Sequence, residues 1–278
     1  MDKQNPFSIY DFLGYLIPGA LVLYILLFLY KAKSIFKIKD VETAIISNSK
    51  FELDKFMFFI IISYALGHLI NFISSITIER YANWKYNYPS KYLMDFNNNF
   101  KFWQGTKTTI FWKIVLIIII FPITCWDYIL GELLGFKRLY TKKADDFIIQ
   151  LIKLKGIKLI EKLGLTQFQN LSRCDFQRIF YHYSYEYSKN HQSKLSNYVA
   201  LYGFLRTLAL ITNLLFWGII IVVIIYFNQL DDSFIFPISI FLFTISIVSY
   251  IFFMAFMKFY RRFSLEGLMV IAIDKELV

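Results

Sequence analysis

The side chains best placed to do chemistry in this sequence are five polar groups inside an apolar run. In "YALGHLINFISSITIER", Tyr64, His68, Asn71, Ser75 and Glu79 recur at steps of four, three, four and four, so a helix sets all five on one face. A polar group in hydrocarbon costs several kcal/mol unless a partner or water meets it. That face is therefore read as a stripe turned to a neighbouring helix, a subunit interface or a wet conduit. His68 carries the most information: neutral, it donates and accepts, and protonated near about pH 6 it would place a charge in the path and gate it. Elsewhere chemistry is sparse. Cys125 and Cys174 stand alone, His68, His182 and His191 lack metal-ligand spacing, and no phosphate loop, GxSxG or HExxH occurs. No metal, cofactor or catalytic residue is expected.

The elements that would hold the stripe are membrane helices. The chain is 57% hydrophobic and only 18% charged, and several uncharged runs approach the roughly 20 residues that cross a bilayer. Four spans are read, at about 12–30, 56–78, 208–227 and 234–256. A fifth candidate, 108–130, contains Lys113, Pro122 and Asp127. Ser8 and Asp11 have capping-box spacing, which suits a helix that starts at the membrane surface and feeds the first span. The first run is too long, and too poor in small residues at its end, for a cleaved signal peptide. The expected class is an all-α polytopic membrane protein. Its regions are an N-terminal membrane part (1–130), a basic helical insert (131–205), a transmembrane hairpin (206–257) and a tail (258–278).

Charge orients the chain. Residues 137–206 hold thirteen Lys/Arg against five Asp/Glu, whereas the loop "NQLDDS" holds two aspartates and no base. The positive-inside rule puts the insert and the tail in the cytoplasm. The side of the N-terminus depends on whether 108–130 crosses, because the loop 31–55 is nearly balanced, with six bases and four acids.

Within the insert, 144–163 alternates apolar and basic faces. Lys153, Lys155, Lys158 and Lys162 suit an anionic inner leaflet, opposite Ile148, Ile152, Leu159 and Leu163. A helix packed on the rest of the insert, with solvated lysines, fits the pattern equally well. Nucleic acid is disfavoured, since no binding motif accompanies the charge. Further on, Ser172 and Asp175 again have capping-box spacing, and Phe176, Phe180, Tyr183 and Tyr187 form an aromatic stripe that reads as a helix-packing face. One or two long helices should run from there into the later spans. Arg206 would be a snorkelling anchor at the membrane boundary, with Asn213 two turns deeper on the same face.

Arg178 and His182, near Asn190, resemble the Arg/His pair of HEPN ribonucleases. Those enzymes use R-x4-6-H, the spacing here is R-x3-H, and the interval from Arg173 is too long. Ribonuclease activity is not expected. A wider resemblance is carried by "FSIYDFLGYLIPGALVL", "LGHLINFISSITIERY", "YPSKYLM" and "YGFLRTLALITNLLF". These segments are similar to a loose group of bacterial multi-pass membrane proteins linked to anti-phage defence, including membrane accessory proteins of type VI-B RNA-targeting CRISPR loci. The resemblance implies a non-enzymatic, oligomeric protein of the bacterial inner membrane. It would act with a cytoplasmic defence partner by perturbing or permeabilising the bilayer. An anchor or adaptor that recruits such a partner is the alternative, and a small transporter is disfavoured because no internal repeat is evident.

Overall fold

The computed structural model describes residues 11–35, 53–96, 102–164, 176–187, 189–227 and 235–277. The capping residues Ser8, Ser172 and Asp175, together with Cys174, Asn190, His191 and the "NQLDDS" loop, lie outside the residues or side chains described.

The protein is an all-α polytopic membrane protein. A π-helical turn, Phe12–Leu16, leads into α1 (Ile17–Ile35). Asp11 stands at its start without a side-chain capping bond. α2 (Leu53–Ser74) runs through a second π-helical turn, Ser75–Glu79, into the short α3 (Arg80–Tyr86), and Pro89 opens α4 (Pro89–Leu93). α5 (Lys107–Ile119) and α6 (Phe121–Trp126), the latter extended by the π-helical run Asp127–Leu133, meet at a 95° bend. A 3₁₀ turn, Phe136–Leu139, then leads to α7 (Asp146–Lys162), α8 (Phe176–Tyr187), α9 (Lys189–Ile225) and α10 (Ile235–Ile273). Four helical stretches among the described residues are long and apolar enough to cross a bilayer: 12–29, 56–93, 192–225 and 235–273. The bent pair α5–α6 is a broken span or a re-entrant loop.

Three of the four stretches, 56–93, 192–225 and 235–273, are longer than the sequence pattern suggests. α9 has 37 residues and α10 has 39, so α10 measures about 58 Å at 1.5 Å per residue, roughly twice the hydrocarbon thickness. The expected tail from 258 is therefore the second half of α10 as far as Ile273. It stays helical because Tyr260, Ser264, Leu268, Ile271 and Ala272 form a buried stripe at helical spacing. Leu268, Ile271 and Ala272 join Leu93, Met94, Ile149, Ile152, Leu159, Phe176 and Phe180 in the core of the insert. Of the aromatic stripe, Phe176 and Phe180 are buried and Tyr183 packs against the same core, while the Tyr187 side chain lies outside those described.

α1 and α2 are antiparallel and almost touch. A Cβ placed on Gly19 would lie 1.6 Å from the Ser63 carbonyl oxygen, and one on Gly67 would lie 1.9 Å from that of Tyr15. Only glycine permits this approach, which is how small residues hold membrane helices together.

Candidate functional site

The five-residue stripe does not act as one unit. Arg206, 8% exposed, reaches across from α9 to its lower half. Its Nε donates to Ser74 Oγ at 3.0 Å and its Nη2 to Asn71 Oδ1 at 2.6 Å, while Nη1 pairs with the Glu79 carboxylate. The extra residue of the π-helical turn Ser75–Glu79 shifts the helical phase. Ser74 and Glu79 thereby come to the arginine, while Ser75 Oγ turns back to the Phe72 carbonyl. Arg206 is accordingly a buried, paired cation and not a snorkelling anchor. An unpaired guanidinium at this depth would be far costlier than the helix distortion that satisfies it.

The upper half of the stripe faces outward. His68 is exposed and stacks on Tyr15 with ring centroids 3.8 Å apart, and Tyr64 meets both rings edge-on at 4.7 and 6.0 Å. His68 lies eleven residues from Glu79, about 16 Å along the helix.

A second polar centre surrounds Asp127, which is fully buried and which the sequence marked only as a charge within an apolar run. Tyr86 and Tyr140 donate to its Oδ1 at 2.7 and 2.8 Å, and Tyr81 and Lys85 to its Oδ2 at 2.8 Å each. Four donors on two oxygens satisfy the carboxylate without water. Burial, and next the charge of Asp127, push the Tyr140 hydroxyl far above the ordinary tyrosine value, so it remains a protonated donor. Gly131 leaves the room this needs, since a Cβ there would sit 2.7 Å from Asp127 Oδ1 and 3.2 Å from the Tyr140 hydroxyl. The signal available in sequence was the grouping of Tyr81, Lys85 and Tyr86 on one short helix, a donor set without an evident acceptor.

The bend between α5 and α6 frees backbone carbonyls at membrane depth, and side chains satisfy them. Asn213 Nδ2 and Trp217 Nε1 donate to the Ile119 carbonyl at 2.9 and 2.8 Å, and Thr124 Oγ1 donates to that of Ile117 at 3.3 Å. Asn213 is therefore the cap of a broken helix. Trp126 Nε1 donates to Ser246 Oγ at 2.9 Å and fixes α6 to α10. Lys113, 4% exposed, turns to the carbonyls of Phe102 and Gln104 and lies over the Trp84 ring at 5.7 Å.

In the insert, two of the four lysines read as lipid contacts have another task. Lys155 donates to the Asp274 carbonyl and Lys162 to that of Glu276, beyond the end of α10, where carbonyls lack helical partners. Lys153 lies 5.2 Å from the Phe96 ring centre and Lys158 is exposed. Ile152 and Leu159 are buried as expected, Ile148 is half-buried, and Leu163 is 62% exposed because it lies past the helix end. Arg178 and His182 line one groove of about 540 Å³ together with Lys162, Tyr183 and Glu186. Among the described residues no three His, Cys, Asp or Glu side chains gather as metal ligands. No family model, no curated protein sequence and no solved structure matches the chain.

Proposed function

We propose that the protein is a non-enzymatic effector or accessory of an anti-phage defence locus. In this reading it self-associates in the bacterial inner membrane and perturbs or permeabilises it on a signal from a cytoplasmic partner. Its insert and the end of α10 lie on the cytoplasmic side. The observation that carries the reading is the outward-facing cluster of Tyr15, Tyr64 and His68 within two apolar helices long enough to cross a bilayer. Its own protomer leaves His68 exposed, so a second protomer or water must meet the imidazole. The shared core of the insert and α10 supports the link to a partner, because a push on the insert moves a transmembrane helix directly.

The test uses His68→Leu in the full-length protein. Native mass spectrometry should report loss of the oligomer, and dye-loaded liposomes should report loss of leakage, while the thermal unfolding midpoint of the protomer stays within a few degrees of wild type. A variant that still assembles and still leaks sinks this reading. The adaptor reading draws on one observation of its own. Asn71 and Glu79 are already engaged by Arg206 of the same protomer. It gains ground if the wild-type oligomer forms without any leakage.

A further inference from the structure

The chemistry of the 107–133 bend lies in where its two arms are held. Lys113, midway along α5, and Asp127, which follows α6, both attach to α3, a helix only seven residues and thus about 10 Å long. Trp84 lies over Lys113, while Tyr81, Lys85 and Tyr86 hold Asp127. α3 follows Glu79 directly, and Glu79 pairs with Arg206 where α2 and α9 enter the insert. Both arms of the bent pair are therefore held from the insert side, seven residues before and after the bend.

The bend itself lies deeper. Its carbonyl is held by Asn213 and Trp217, seven and eleven residues beyond Arg206, or about 10 and 16 Å further along α9. Each arm is about 20 Å long, short of the roughly 30 Å hydrocarbon core. The inward-facing groups of the pair are taken up by Asn213, Trp217, Ser246 and the tyrosines around Asp127. Its outward face is apolar and open: Phe111, Trp112, Ile114, Ile118 and Phe121 are each at least 45% exposed.

We infer that residues 107–133 form a re-entrant wedge whose outer face contacts the acyl chains of one leaflet only, the leaflet on the side of the insert. The chain then has four full spans. Stacking of Tyr15 on His68 and contact of Tyr24 with Phe59 set α1 antiparallel to α2, so α1 starts at the level of His68 and runs away from the side of Glu79 and the insert. A wedge of this kind takes up area in one leaflet without matching area in the other, which strains the bilayer asymmetrically. The inference is independent of self-association, since it concerns the path of one chain.

Single cysteines at Gln104 and Arg138, introduced with Cys125→Ser and Cys174→Ser, test the path. Both should react with a membrane-impermeant maleimide from the same face as a cysteine at Lys158, in oriented vesicles. Reaction of Gln104→Cys from the opposite face overturns the inference. A nitroxide on Ile118→Cys tests the lipid contact. It should be relaxed strongly by oxygen and weakly by a water-soluble nickel chelate, at a depth near mid-bilayer. Strong relaxation by the nickel chelate, or by neither agent, overturns the lipid-facing wedge.

Discussion

At the scale of single residues, two of the buried charges among the described residues, Arg206 and Asp127, are each surrounded by partners from other elements. Removing one member of such a pair leaves the other uncompensated in a dry environment. Arg206→Met should therefore cost about 3–5 kcal/mol by stranding Glu79, and Asp127→Leu a similar amount by taking the acceptor from three buried tyrosine hydroxyls and leaving Lys85 only Glu132 at 3.7 Å. Unfolding in detergent followed by circular dichroism measures both, and a loss under 1 kcal/mol in either would mean that the partners find water. Gly131→Ala is a finer probe, because its added methyl meets an Asp127 oxygen that four donors hold in place. A loss of about 1–3 kcal/mol is expected there. Sequence could put Glu79 on a polar stripe and Arg206 at a membrane boundary, but it could not pair them. They are 127 positions apart, and a π-helical turn shifts the phase on which any wheel argument relies.

At the scale of elements, the apolar runs were legible because bilayer thickness fixes the length a span must have. The boundaries were less so. Lys258, Arg261 and Arg262 end the apolar run at 257, and what extends the helix to Ile273 is the apolar surface of the insert, a tertiary partner. The broken helix shows the same limit: Pro122 signals a break, while the side chains that make the break tolerable come from α9. Asn213→Leu combined with Trp217→Phe should leave the Ile119 carbonyl unpaired and cost about 1–3 kcal/mol. Hydrogen exchange should then quicken at residues 116–124 more than in α10. Equal quickening throughout would show that the bend is not a local unit.

At the scale of the whole molecule, a membrane bundle and a basic helical body share one continuous helix, α10, and no catalytic constellation is proposed for either part. Arg178 and His182 share a groove with Glu186, yet they stand one turn apart on the same helix and face a wide, open space. The double variant Arg178→Ala, His182→Ala should retain any defence phenotype, and neither it nor the wild type should cleave RNA. Cleavage by the wild type that is abolished in a stably folded double variant would overturn the non-enzymatic assignment.

The bend also has a consequence for how the chain is made. Asp127 meets Tyr81, Lys85 and Tyr86, which the ribosome has already delivered, and Tyr140, which follows thirteen residues later. The groups that satisfy Ile119 come 94 and 98 residues later, and Ser246 follows Trp126 by 120. At roughly 5–20 residues per second, the half-built wedge waits about 5 to 25 seconds with its apex uncapped. The carboxylate cluster must therefore form first and hold the hairpin at the membrane surface. Seating of the apex between α9 and α10 becomes the last step of assembly, so nascent chains cut short before residue 189 should be the ones that quality-control proteases remove.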